Sequence, residues 1–349
     1  MGIHCEINLH KRADGAFVPG SVVSGTIKYG VDVPTEFKKI TVSLKGNGFL
    51  IIHDRQAKNK GRAVDSYRNS EDYVDIDNVI YTNEKKDNPL PIGMYETQFC
   101  FKLPEEVPAS FKYQKRAARY RVRCYIEYYV RIKFETIGLF NLNKKFKKEI
   151  TVVSGIKPRL PTDPVIYGEV KKLLSLFSKN NTVDIKVNVP KSVISTGGKI
   201  EFSYEIFNDT NLTIKGVEAK LVELHTFKSH GSKEVEMSKD IKDTDSKTGS
   251  IASGEKKTID VVINVPSERT SLEHSKIVSR EYFVHIEAII PFPHWNAVLK
   301  FPVQIGDVMG NIHESENNDA PPSYWEVMMG DEKEKGEEID DVDDFEDES

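Results

Sequence analysis

The sharpest chemical signal in the sequence is Pro321-Pro322-x-Tyr324, within "APPSYWEV" near the C-terminal end of the 349-residue chain. Two prolines fix φ near −65°, so this segment is close to polyproline II before anything binds, and little ordering entropy is left to lose. WW domains read such a helix by stacking its prolines on aromatic residues while the tyrosine ring fills a neighbouring groove. Pro321, Pro322 and Tyr324 are therefore candidate WW-domain contacts. The competing reading is that the Pro-Pro pair only punctuates a tail, with Tyr324 and Trp325 folding back onto the preceding domain.

A second candidate is electrostatic. Arg119, Arg121, Arg123, Arg131 and Lys133 alternate with apolar residues in "RYRVRCYIEYYVRIKF". Lys112, Lys115 and Arg116 precede them, and "KKFKK", Lys144 to Lys148, follows. Arginine forks match phosphate, and a polybasic surface gains about 1 kcal/mol per residue at an anionic leaflet. The patch thus suits phosphorylated segments or anionic lipid; otherwise it is the solvated face of a sheet. Nucleic acid is not expected, because no recognition-module signature is present and aromatics do not stud the basic face beyond Tyr125 and Tyr129.

Catalytic chemistry finds little support. "STGGKI" lacks the first glycine of a phosphate loop, and Ile200 stands where that loop has Ser or Thr. There is no GxSxG, HExxH or GxGxxG, the nine histidines are scattered, and neither they nor the cysteines show metal-ligand spacing. The expectation is a protein that is not an enzyme and needs no cofactor or metal. Cys5, Cys100 and Cys124 form no even disulfide set, as in a reducing compartment. Cys5 and Cys124 fall on apolar strand faces and Cys100 on a polar one.

The elements that carry these residues read as β-structure. Ile3, Cys5, Ile7 and Leu9 alternate with polar residues, and the same period of two recurs at Ile40–Leu44, Phe99–Leu103, Val183–Val189, Ile200–Ile206 and Ile259–Val265. One buried face per strand predicts antiparallel sheets packed as sandwiches. Helical signal is confined to "EVKKLLSLF", which reads as two amphipathic turns capping a sandwich or touching a membrane surface, and to the stretch around Phe111 to Ala118. The spacing from Gly20 to Leu44 equals that from Gly197 to Leu221, and Leu103-Pro104 precedes Tyr120 as Val265-Pro266 precedes Tyr282. This predicts two similar sandwiches in tandem, joined through the proline-rich "SGIKPRLPTDP".

A hydrophobic fraction of 38% is enough for two cores. No apolar run resembles a signal peptide or a bilayer span, so the expectation is a soluble intracellular chain. From Asp331 onward the chain carries −10, leaving the preceding residues at +5. Such a like-charged block is expected to be disordered.

The order of the pieces "VPGSVVSGTIKY", "ITVSLKGNG", "FKLPEEVPASF", "ARYRVRCYIEYYV", "KPRLP", "FPVQIG" and the PPxY tail resembles the arrestin-domain-containing proteins, the α-arrestins. The resemblance covers about residues 1–306 plus the tail motif. It departs at "STGGK", where the family usually has a Pro-Gly-Glu turn, and in having one PPxY where many relatives have two. The resemblance implies an all-β fold of two tandem arrestin-like, immunoglobulin-type sandwich lobes. The corresponding boundaries are an N-lobe over 1–155, a linker over 156–180, a C-lobe over 181–306 and a disordered acidic tail over 307–349. It also implies a cytoplasmic adaptor, reaching the plasma membrane or endosomes through partners. Its PPxY would recruit a WW-domain HECT-type ubiquitin ligase to cytoplasmic regions of membrane receptors or transporters, promoting their ubiquitination and endocytosis. The alternative is a ligase-independent trafficking or signalling scaffold, similar to β-arrestins or to retromer's arrestin-like subunit. Some relatives engage thioredoxin through a cysteine, but nothing in the resemblance locates such a residue here.

Overall fold

The structure is a computed structural model that describes residues 2–10, 15–55, 65–83, 89–117, 119–137, 143–173, 181–231, 233–308 and 337–338. Among these residues there is no α-helix, and they divide into two compact units, the second beginning at Gly155. Pro321, Pro322 and Tyr324 lie outside the described residues, as does nearly all of the acidic tail.

The first unit is a two-sheet sandwich. Strands β1 (Ile3–Leu9), β3 (Val22–Val31) and β6 (Gly93–Lys102) form one sheet in the order β1-β3-β6. The other contains β2 (Ala16–Phe17), β4 (Phe37–Asp54), β5 (Asp65–Thr82), β8 (Tyr120–Thr136) and β9 (Lys144–Val152), in the order β2-β9-β8-β4-β5, with β7 (Phe111–Arg116) also on β8. The inner faces meet through residues such as Tyr29 and Phe134, whose rings sit edge to face 5.3 Å apart. In β8, Val122, Cys124, Ile126, Tyr128, Val130, Ile132 and Phe134 are all buried, as the alternation requires.

The second unit repeats this plan. Its sheets are β10 (Val165–Lys172), β11 (Thr182–Val189), β13 (Lys199–Asp209) and β17 (Lys256–Asn264), in that order, and β12 (Val193–Ile194), β19 (Ala297–Ile305), β18 (Val278–Ile289), β14 (Gly216–Lys228) and β15 (Glu234–Asp240), with β16 (Ser246–Lys247) paired to β14. One continuous core of Val, Ile, Leu, Phe and Tyr side chains from both sheets fills the interior.

The internal repeat is visible down to single hydrogen bonds. Ser21 N–H donates to Val18 O and Gly198 N–H to Ser195 O, both at 3.0 Å, closing two turns whose third residues are Gly20 and Gly197. Both glycines have positive φ, +79° and +69°, which a side chain would penalise. The "STGGK" departure therefore keeps the turn geometry. Beside each turn, Leu103 and Val265 donate to Ser21 O and Gly198 O, each at 2.9 Å. Ser110 and Ser271 each bond the last core strand of their own sheet twice: Oγ accepts from Val152 or Ile305 N–H, and the serine N–H donates back to the same residue's carbonyl.

Four expectations need correction. Phe111–Arg116 is a strand, because Phe111 and Tyr113 point inward with a period of two and β8 offers an edge. The described part of "EVKKLLSLF" is also extended, since β10 pairs with β11 through Lys172, and Leu174 to Phe177 lie outside the described residues. So short a run cannot offset helix nucleation when an open edge competes for its backbone. The expected linker 156–180 is therefore largely part of the second unit. Ile156 N–H donates to Asp307 O, and the Gln304 side chain bonds both Lys157 O and Arg159 N–H. Finally, β4 is buried on both faces at Thr41 and Ser43, because as a central strand it is flanked in register by long polar side chains, Asp77 and Arg131 beside Ser43.

Candidate functional site

Strand β8 carries Arg121, Arg123, Arg131 and Lys133 on its outer face, with Arg119 immediately before it, as alternation predicts. Cross-strand register then decides what each of them meets.

Part of this charge is compensated. Arg119 Nη2 lies 3.2 Å from the Asp54 carboxylate, with its guanidinium over the Tyr120 ring, and Lys133 Nζ lies 3.2 Å from Glu135. Arg131 stands between Ser43 and Lys147 in register. One residue row away, Lys45 pairs with both Asp75 and Asp77, and its hydrogen bond holds the Asp77 carboxyl below the usual carboxylate range. "KKFKK" is divided by the pleat, so only Lys145 and Lys147 share the outer face with Lys133 and Arg131, while Phe146 is buried.

Just after Arg119, at the start of β8, the charges are not compensated. Two neighbouring rows cross β5, β4, β8 and β7: Ser66, His53, Arg121 and Arg116, then Arg68, Ile51, Arg123 and Gln114. The side chains of Arg68, Arg116, Arg121 and Arg123 make no ion pair among the described residues, and Arg123 Nε is buried without a hydrogen-bond partner. With strands about 4.8 Å apart and alternate residues about 6.8 Å apart, these four arginines are neighbours on one sheet and offer guanidinium donors to an anionic group. Arg68 and His53 were missed from the sequence, since only the pairing of β4 with β5 and β8 brings them beside Arg121.

The tail touches this sheet at one described point. Glu337 and Glu338, β20, pair antiparallel with Lys147 and Phe146 of β9. These two glutamates thus pair with a basic strand whose other edge is taken by β8.

In the second unit, Glu223 is 2% exposed, yet its carboxylate accepts from Arg269 Nη1 at 3.0 Å and from the Tyr282 hydroxyl at 3.1 Å. Burial pushes the Tyr282 hydroxyl pKa up. This buried, satisfied pair fills space that the repeat leaves to a glycine in the first unit, where Gly46 faces Tyr128 as Glu223 faces Tyr282. On the outer face of the same sheet, a cavity of about 530 Å³ is lined by Lys220, Val222, Asp240, Phe283, His285 and Lys300, with Lys220 Nζ bonded to Asp240 at 2.6 Å. Among the described residues no cluster of three or more His, Cys, Asp or Glu could hold a metal ion, and no helix is long and apolar enough to cross a membrane.

Comparison with known proteins gives two matches to family models: "Arrestin (or S-antigen), N-terminal domain" over residues 5–158 and "Arrestin (or S-antigen), C-terminal domain" over residues 179–309. Arrestin domain-containing protein 17 of Caenorhabditis elegans is 22% identical, over 90% of this chain and 78% of its own length.

Proposed function

Because the chain belongs to the arrestin-domain family, whose members are adaptors in membrane-protein traffic, we propose that it links a WW-domain HECT-type ubiquitin ligase to membrane cargo. The ligase arm is Pro321, Pro322 and Tyr324, and the cargo arm is the pair of lobes, which engage cytoplasmic segments of receptors or transporters. The adaptor performs no chemistry on its cargo. Holding ligase and substrate on one chain raises their effective concentration, by the arithmetic that gives linked sites about 10² to 10⁴ in avidity. The place of action is the cytoplasmic face of the plasma membrane or endosomes, reached through these partners.

The observation that carries this reading is the combination of two arrestin-domain matches with a PPxY motif beyond the last strand of the second unit. The uncompensated face of Arg121 and Arg123, extended by Arg68 and Arg116, supports contact with phosphorylated or otherwise anionic groups. Arg119 and Lys133, already paired, contribute less to such a contact.

The test is calorimetry of the full chain against a panel of ligase WW domains at one fixed salt concentration, with Tyr324→Ala alongside. Micromolar binding, about −8 kcal/mol or a little less, that disappears in the variant is the expected result. If no ligase WW domain binds, the tail is a spacer and the ligase-independent scaffold takes its place.

A further inference from the structure

Strand β10 has one side in use and one side open. It pairs with β11 alone and ends the sheet that runs on through β13 to β17. Just beyond that ladder Leu173 N–H donates to Asn181 O at 2.8 Å, so Leu173 faces β11, and alternation decides the rest of the strand. Val165, Tyr167, Glu169 and Lys171 direct their backbone groups to β11, while Ile166, Gly168, Val170 and Lys172 direct theirs to the open edge. None of these outward N–H or C=O groups has a hydrogen-bond partner among the described residues.

The side chains make this edge apolar. Ile166 is 73% exposed and Val170 62%, with the exposed Gly168 between them on one face of the strand. On the other face Tyr167 stacks on Phe301 at 5.6 Å, which seats β10 against the core while Ile166 and Val170 stand in solvent. Edge strands are ordinarily blunted by bulges, charges or proline. β5, at the edge of its own sheet, has register shifts at Ile40/Thr41 and Gly46/Asn47 of its neighbour and carries Glu71, Asp72, Asp75 and Asp77. β10 has an unbroken register, no proline, and no charge among Ile166, Gly168 and Val170. An edge left unprotected in this way is a template for a further strand.

The strand's own sequence selects its occupant. An antiparallel second copy with Gly168 on the two-fold axis sets Ile166 opposite Val170 of that copy, and Val170 opposite its Ile166. In this register the outward-facing residues meet as hydrogen-bonded pairs, and β-branched side chains pack together on each side of the central glycines. Lys171 then lies diagonal to Asp163 of the second copy, within reach of a long side chain. Neither Lys171 nor Asp163 makes an ion pair among the described residues, so the symmetry closes this pair on both sides of the axis. Moving the axis to Glu169 sets Ile166 against Lys172. Moving it to Tyr167 sets Val170 against Pro164, which has no N–H to give.

We propose that the chain forms a two-fold homodimer through β10, in which the sheet β17-β13-β11-β10 of one copy continues into that of the other. A single pair of strands is a small interface, so the dimer is reversible and forms at micromolar or higher concentration. The surface belongs to the second unit and is separate from both the PPxY motif and the Arg121–Arg123 face. One consequence rests on the ligase reading, although the dimer itself does not: two copies bring two PPxY segments to one assembly, which supplies the avidity that a single motif lacks.

The test is sedimentation velocity of the full chain from submicromolar to submillimolar protein, with conversion of monomer to dimer as the expected result. Ile166→Lys with Val170→Lys sets like charges opposite each other and weakens the dimer at least about tenfold. Lys171→Asp and Asp163→Lys each weaken self-association, and mixing the two variants restores it, because each charge then meets its opposite across the axis. A Cβ at Gly168 would meet only Ile185 O, at 3.9 Å, so Gly168→Cys is tolerated. In a Cys100→Ser background it forms an intermolecular disulfide under mild oxidation, since Cα atoms of a facing hydrogen-bonded pair lie about 5.5 Å apart, whereas Ile166→Cys does not. Unchanged thermal unfolding shows that each variant keeps its fold. The proposal is overturned if the chain stays monomeric throughout, if the double lysine variant dimerises as well as the unsubstituted chain, or if Ile166→Cys cross-links as readily as Gly168→Cys. Affinity for a single WW domain is indifferent to the β10 variants, which separates this result from failure of the ligase arm.

Discussion

Gly46→Ala is the substitution whose consequence follows most directly from the geometry. A Cβ at Gly46 would stand 2.5 Å from Tyr128 Cε1 and 3.3 Å from Val74 Cβ. Tyr128 cannot retreat: it is 1% exposed, and its hydroxyl donates to Pro108 O at 2.8 Å. Overpacking of this kind costs about 1–3 kcal/mol, and displacing the buried hydroxyl from Pro108 adds about 1. Lower backbone entropy of alanine in the unfolded chain returns roughly 0.5. The expected loss is therefore about 1.5–3.5 kcal/mol, confined to the first unit. The measurement is native-state hydrogen exchange by mass spectrometry on peptides from β4 and β8, which reads the stability of this unit directly. A 2 kcal/mol loss accelerates exchange about thirtyfold, while peptides from β13 and β14 keep their protection. Tyr128→Leu on the Gly46→Ala background removes the clash and recovers part of the loss. Less than about threefold acceleration in Gly46→Ala would refute the claim that this ring is fixed against the strand.

The thiols should separate by burial. Burial, together with the Glu6 charge, pushes Cys5 to about 12, and burial alone pushes Cys124 to about 12, whereas Cys100 is exposed; iodoacetamide at neutral pH should label Cys100 first and Cys124 only on unfolding. His285 is held below its usual 6.5 chiefly by burial, then by Lys300 and Lys220, against the opposing pull of Glu287 and Asp240. The unfolded chain then takes up a proton that the folded chain resists, so stability should fall as pH drops through 6.5 toward the folded value, and His285→Gln should flatten that slope in denaturant titrations at pH 5 to 7. An unchanged slope would mean that the ring is solvated in the folded state. Removing residues from Asp331 onward should raise affinity for an anionic probe such as heparin, because Glu337 and Glu338 no longer cover the β9 edge; equal affinity would show that the pairing does not mask that edge.

The sequence alone determined what depends on short-range pattern. Alternation assigned the buried faces of β1, β8, β11 and β13, since the pleat sends neighbouring side chains to opposite sides whatever the partners are. Equal spacings after Gly20 and Gly197 exposed the repeat, because a turn needing positive φ fixes where each sandwich starts. Pairing decided the rest. Phe111–Arg116 and Val165–Lys172 are strands because an open edge was available to them, which no local propensity encodes. The basic residues of β8 divide into paired and unpaired sets because register places Asp54 beside Arg119 but only His53, Ile51 and further arginines beside Arg121 and Arg123. Side-chain direction is a local property of the chain, whereas charge balance and exposure depend on which distant strands lie alongside.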